Sequence, residues 1–153
     1  MHEFRTYYDL ADANGLVPEL ELIFADLARV HKEIVGLGRI AQAAGVRFTL
    51  DDVLDGDLDG ICQALPSIGD RVLQAADDYL DILDDIADMG LVICDLDMGL
   101  VGFFSLFGGQ EILLSWQFGE PEVAHWHGVT EHPEERRSLA DLISNRRPQV
   151  SLH

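Results

Sequence analysis

The sequence predicts an α+β fold: an antiparallel coiled-coil-like helical hairpin, a small antiparallel β-sheet of three to four strands, and a short C-terminal helix. Three observations predict it. Residues 20–44 and 72–86 carry apolar side chains at alternating spacings of three and four, the seam that a helix presents along one side. From Leu91 the pattern changes to β-branched and aromatic runs divided by glycine-containing turns, which is the signature of strands. Pro133-Glu134-Glu135 then opens a last segment as a helix start. A chain of 153 residues with 48% apolar content is expected to bury one core, so a single domain is expected over 1–153, with the hairpin at about 17–90, the meander at about 91–128 and a basic tail helix at about 133–147.

The first helix is expected to start near Pro18, a residue suited to a first helical turn. Its seam is Leu20, Ile23, Leu27, Val30, Ile34, Leu37, Ala41 and Ala44. Gly36 and Gly38 lie inside it and mark a kink or a close helix crossing, since each costs roughly 1 kcal/mol relative to alanine. The second helix carries Val72, Ala76, Tyr79, Leu83 and Ile86. Ser67-Ile68-Gly69-Asp70 reads as its capping box and Gly90 as its left-handed stop. Two such seams with a connection between them fold back as an antiparallel pair. Expected strands are Val92–Cys94, Leu100–Leu106, Glu111–Phe118 and Glu122–His127, with Gly108-Gly109 as a hairpin turn and Phe4–Tyr8 as an additional edge.

Charge excludes several functions. The chain holds 28 acidic residues against 10 basic ones, a net charge of −18, and no Lys or Arg from Val72 to Glu135. Nucleic acid is excluded as a partner, because phosphate neutralisation requires clustered cations, and anionic membrane surfaces are repelled. A basic protein or a small cation matches better. Asp77, Asp81, Asp84 and Asp88 fall on one side of the second helix at 100° per residue, with Asp78 and Asp85 beside them. This stripe is a solvated face or a docking strip. Arg136, Arg137, Arg146 and Arg147 form the basic cluster, expected against the stripe within the chain or across a dimer. No run approaches the roughly 18 apolar residues of a membrane span, and the start lacks the charged and apolar regions of a secretion signal, so the cytoplasm is expected. Cys62 and Cys94 fit no CxxC pattern and are expected as buried small hydrophobes.

The order Ala13-Asn14-Gly15-Leu16-Val17-Pro18, a long helical hairpin, Asp95-Leu96-Asp97-Met98-Gly99-Leu100-Val101, Trp116-Gln117-Phe118-Gly119-Glu120-Pro121-Glu122 and Trp126-His127 resembles DUF2203, a family of domains of unknown function. The likeness runs to about residue 128, and its most specific part is Gly-Glu-Pro-Glu with Trp-His. It implies the fold outline and no activity. Three departures stand out. Gly102-Phe103-Phe104 replaces an Asp-Phe-Pro, removing a carboxylate; residues 46–65 read as an insertion; and Gly128 to His132 differs from the expected ending.

The residues richest in chemistry are Gly119 to Gly128. On a strand, His125 and His127 share a face, a spacing from which two imidazoles reach one divalent transition metal, zinc or similar. Glu120 and Glu122 have the opposite parity and point away unless a bulge intervenes, so a third ligand is sought at His132, Glu131, Asp95 or Asp97. Glu120 and Glu122 are also the candidate general bases. Asp55-Gly56-Asp57-Leu58-Asp59-Gly60 matches half of a calcium loop, but Pro66 stands where a bidentate Glu is required. No serine sits in a nucleophile elbow, and neither cysteine has a histidine close in sequence. Two function classes follow. The first is a non-enzymatic accessory or interaction protein, a homodimer associating through its hairpin; the alternative is a metal-dependent hydrolase or metal-delivery protein using His125 and His127.

Overall fold

The computed structural model describes residues 5–142 and has the expected α+β architecture. Helices α1 (Leu10–Ala43), α2 (Leu50–Asp55), α3 (Asp59–Ala64) and α4 (Pro66–Asp88) precede strands β1 (Leu91–Asp95), β2 (Leu100–Phe107), β3 (Gln110–Gln117), β4 (His125–Gly128) and β5 (Arg137–Ser138). The chain divides into two compact units, a helical unit of residues 23–85 and a sheet unit of residues 5–22 and 86–142.

α1 starts eight residues before Pro18. The reason is Asp9, whose Oδ1 accepts the Asp12 N–H at 2.7 Å while its carbonyl accepts the Ala13 N–H at 3.0 Å. Such an N-cap contributes about 1 kcal/mol, against roughly 3 kcal/mol for a proline inside a helix. Burial of Ala13 and Val17 helps to offset the difference. The seam runs correspondingly further: Ala13, Val17, Leu20, Phe24, Leu27, Val30, Ile34, Leu37 and Ala41 are buried, whereas Ile23 is half-buried and Ala44 exposed.

In the helical unit, α1 closes with a Schellman turn. Gly45 takes φ 85°, Val46 N–H bonds to the Ala41 carbonyl at 2.9 Å and Gly45 N–H to that of Gln42 at 3.0 Å. The segment read as an insertion carries α2 and α3. Thr49 and Asp52 form a reciprocal capping box at the start of α2, and Gly56 closes that helix in the left-handed region. Asp55-Gly56-Asp57 is thus a helix terminus. α4 begins at Pro66, so Ser67 lies inside the helix instead of capping it, and Pro66 occupies the first position, where a missing N–H costs nothing. Gly69 is required there: a Cβ would stand 2.6 Å from the Cys62 Cα. The rings of His31 and Tyr79 meet at 6.3 Å between centroids. Val72, Ala75, Ala76, Tyr79, Ile82 and Ile86 are buried along α4 and Leu83 is half-buried.

The sheet unit is a five-stranded antiparallel meander in the order β1-β2-β3-β4-β5. Gly90 stops α4 at φ 80°, and Gly108-Gly109, both at positive φ, make the two-residue hairpin between β2 and β3. The fifth strand was not legible because it is two residues long. Residues 5–9 form no strand; Tyr8 gives one backbone hydrogen bond to the Phe104 carbonyl at 2.8 Å and its hydroxyl donates to the Met89 carbonyl at 2.5 Å. Phe4 lies outside the described residues. The tail segment is not helical from Pro133, which opens a single 3-10 turn, Pro133–Glu135; a helical turn starts at residue 139. Residues 143–147 of the expected tail helix, with Arg146 and Arg147, lie outside the described residues.

Candidate functional site

Register decides which side chains meet. His125 pairs with Ser115 and His127 with Leu113, so the two imidazoles project from one face of β4 along with Ser115, Leu113 and, one strand further, Gly102. β4 starts at His125, not at Glu122. The preceding Gly119–Ala124 stretch is a turn and bend, which frees Glu120 from strand parity and lets its carboxylate approach His125, with Oε2 3.7 Å from Nδ1.

Glu120 is held on every side. Its Oε1 accepts the Gln117 N–H at 2.7 Å and Arg136 Nη2 at 2.8 Å, and its Oε2 accepts Arg136 Nη1 at 3.1 Å. Its carbonyl takes the Trp116 indole N–H at 2.9 Å. The same guanidinium donates from Nη2 to the Ser115 carbonyl at 3.1 Å. Burial pushes the Glu120 carboxyl up, but the Arg136 hydrogen bonds and charge, the Gln117 N–H and the nearby His125 outweigh it and leave the group below the usual carboxylate range. Glu120 is therefore a fixed anion tying the β3–β4 connection to the chain just before β5. Within the chain, Arg136 pairs with Glu120 and Arg137 with Glu131, not with the acidic stripe as one of the two expected arrangements had it.

Glu131 repeats the arrangement. Its Oε1 accepts the Gly128 N–H at 2.6 Å and the Arg137 guanidinium, and that N–H, ahead of the arginine, holds its carboxyl below the ordinary range. Arg137 also lies 4.2 Å over the Trp126 ring. Trp126 is half-buried, so the core tryptophan is Trp116, which is 0% exposed. The indole N–H of Trp126 is buried without a hydrogen-bond partner among the described residues.

His127 is 1% exposed. Its Nδ1 lies 2.9 Å from the Gly128 carbonyl; a carbonyl can only accept, so Nδ1 carries a proton, and Nε2 faces the Cys94 Sγ at 4.0 Å. Sequence reasoning missed this pair. Cys94 is the residue at which the β1–β2 register slips between Ile93 and Asp95, and such a bulge re-aims a side chain. Gly102 makes room for it, because a Cβ there would stand 3.0 Å from Leu113 Cδ2 and 3.3 Å from the Cys94 sulfur. Burial, then the charge of Asp95, pushes the Cys94 thiol up, so it meets the imidazole as a neutral thiol.

The remaining candidates lie apart in role. His132 caps the 3-10 turn by accepting the Glu134 N–H at 3.2 Å. Asp95 accepts the Met98 N–H at 3.1 Å and closes the β1–β2 turn, where Asp97 is exposed. Glu122 is exposed. Among the described residues no three of His, Cys, Asp and Glu come together as a metal-holding group.

The model of the uncharacterised conserved protein family DUF2203 matches residues 6–139. The chain belongs to DUF2203. No curated protein and no solved structure matches it. The DUF2203 match ends at Leu139, whose N–H bonds to the Ala124 carbonyl at 2.9 Å, and so takes in both arginine clasps.

Proposed function

We propose that this DUF2203 protein is a cytoplasmic, non-enzymatic accessory protein that works by contact, its helical unit docking a basic segment of another protein. The observation that carries the reading is the exposed stripe of Asp77, Asp81, Asp84 and Asp85 on α4, which forms no ion pair among the described residues. Among the described residues Arg136 and Arg137 are committed to Glu120 and Glu131 and not to the stripe, which supports a partner as the source of its counter-charge. Of the two candidate general bases, Glu120 is clasped by Arg136 and held as an anion, and Glu122 is exposed, which supports the same reading. No helix among the described residues is long and apolar enough to cross a membrane.

Isothermal titration with an arginine-rich peptide tests the proposal. Binding is expected to weaken steeply as salt rises, because exposed charges are screened beyond about 10 Å at 0.1 M; an affinity indifferent to salt would overturn it. Self-association through the helices is the second part, supported by Val35, Ile40 and Leu73, which are 40%, 49% and 45% exposed. Light scattering at micromolar concentration is expected to give a dimer, and a monomer would remove this part alone.

The metal-dependent alternative has one observation in its favour, the buried His125 Nδ1 with no hydrogen-bond partner among the described residues. Elemental analysis of wild type beside a His125→Ala/His127→Ala variant decides it. Near-stoichiometric metal lost in the variant would replace the contact reading with a metal one.

A further inference from the structure

The helical unit contains a cleft of about 280 Å³ whose chemistry is opposite to that of the rest of the chain. Arg39 from α1 and Arg47 from the segment that follows it both line the cleft, with His31 and Gln42 between apolar walls that include Ile34 and Phe48. None of its lining residues is a carboxylate. In a chain with 28 acidic side chains, neither guanidinium forms an ion pair or a side-chain hydrogen bond among the described residues, whereas Arg5, Arg29, Arg136 and Arg137 each do.

The local sequence explains how the cleft arises. The Schellman turn at Gly45 sends the chain back beside the last turns of α1, and the Phe48 ring lies 3.8 Å from where a Cβ of Gly38 would stand. That is ordinary van der Waals distance, so the ring packs directly against this turn of α1. Thr49 is fixed immediately afterwards by its capping box with Asp52, Thr49 N–H to Asp52 Oδ2 at 2.8 Å and Asp52 N–H to Thr49 Oγ1 at 3.1 Å. This satisfies the Asp52 carboxylate locally and leaves the arginines without it.

We infer that this cleft binds a small organic anion, a carboxylate or phosphate ester attached to a flat apolar body. Guanidinium groups hold such oxyanions through paired N–H donors, and an apolar-walled recess with few polar groups is the usual form of a ligand site. Recognition requires both halves: the arginines take the oxyanion, and Phe48 with Ile34 takes the ring. The net charge of −18 repels anions from the surface at large, which makes an anion that does bind a report on a built site.

Phenyl phosphate is the probe, titrated into the isotope-labelled full chain and followed by amide chemical shifts. Saturable shifts confined to residues 31–50 are expected, at a dissociation constant of roughly 1 mM or below. Arg39→Gln/Arg47→Gln is expected to weaken binding about tenfold or more with an unchanged melting temperature, since both side chains are exposed. Phe48→Ala is expected to abolish the preference for phenyl phosphate over inorganic phosphate. Absence of saturation, shifts centred elsewhere, or an unaltered affinity in the double arginine variant would each overturn the inference. A failure of the double variant to fold would be visible in its melting curve, and single Arg39→Lys and Arg47→Lys variants, which keep the charge and lose the fork, then decide; affinity undiminished in both would overturn it.

Discussion

Arg5, Arg136 and Arg137 of the sheet unit each meet a carboxylate within that unit, whereas Arg39 and Arg47 of the helical unit meet none, and neither do Asp77, Asp81, Asp84 and Asp85. The sheet unit joins distant parts of its chain through ion pairs, whereas the ion pair of the helical unit, Arg29 with Asp26, is local to one helix and leaves Arg39, Arg47 and the stripe outside it. The difference teaches where to look for function. The decapeptide around His125, which holds the densest collection of reactive side chain types, is largely a fastening device, and the helical unit, whose pattern looks purely structural, carries exposed charges that no ion pair among the described residues meets.

The comparison breaks first at Arg136. If the clasp fastens the sheet, Arg136→Ala leaves the Glu120 carboxylate half-buried with its main partner gone. Partners of buried ion pairs cost 3–5 kcal/mol when removed, and partial exposure reduces that here to about 2 kcal/mol, measurable by urea denaturation. Loss of less than about 0.5 kcal/mol would show that the clasp is decorative.

The helical unit, by contrast, is held mainly by close packing, its Arg29–Asp26 pair being exposed and local to α1. Gly69→Ala should therefore cost about 1–2 kcal/mol, because the added methyl meets the backbone of Cys62 and the helices must shift. Arg39→Gln/Arg47→Gln should leave the melting temperature unmoved.

A smaller effect is expected with pH. The Glu120 carboxyl lies below its ordinary value in the folded protein, so its contribution is present above the unfolded value near 4.5 and is lost as pH falls through the lower folded value. Wild type should accordingly lose more stability on acidification below about pH 4.5 than Arg136→Gln, in which the carboxyl keeps the Gln117 N–H and the nearby His125 but loses the guanidinium that lowers it against burial. Parallel curves for the two proteins would contradict the sign.

The smallest stability effect belongs to the stripe. Replacing Asp77, Asp81, Asp84 and Asp85 by Asn removes like-charge repulsion at helical spacing, each pair worth roughly 0.2–0.5 kcal/mol, so the variant should be slightly more stable to heat. A destabilised variant would mean that the stripe has structural partners.

Much of the fold could be read from the chain. The 3-4 alternation of Leu20, Leu27, Ile34 and Ala41, the Gly108-Gly109 hairpin and the Gly90 stop are local signals with local causes, and they survive into the structure. The start of α1 was hidden because Pro18 is a stronger sign of a helix beginning than Asp9, although Asp9 with Asp12 three residues on was there to be read. The site was less legible. Strand parity separates Glu120 from His125 only while the strand is unbroken, and the turn at Gly119 cancels it. The Cys94–His127 contact depends on a bulge of one residue, and the clasp on Arg136 depends on a fifth strand too short to carry a pattern. Contacts between residues far apart in sequence are set by register, which no local spacing records.

The most direct test of the account compares two variants of equal charge. One neutralises the stripe as Asp77→Asn/Asp81→Asn/Asp84→Asn/Asp85→Asn; the other neutralises four exposed acids around α2 and α3 as Asp51→Asn/Asp55→Asn/Asp57→Asn/Asp59→Asn. Affinity for the same arginine-rich peptide is measured for both at physiological salt. The account predicts that the stripe variant loses about tenfold or more while the second variant stays within about twofold of wild type. Equal losses in the two would show that the peptide responds to net charge alone, and would contradict the assignment of a docking surface to α4.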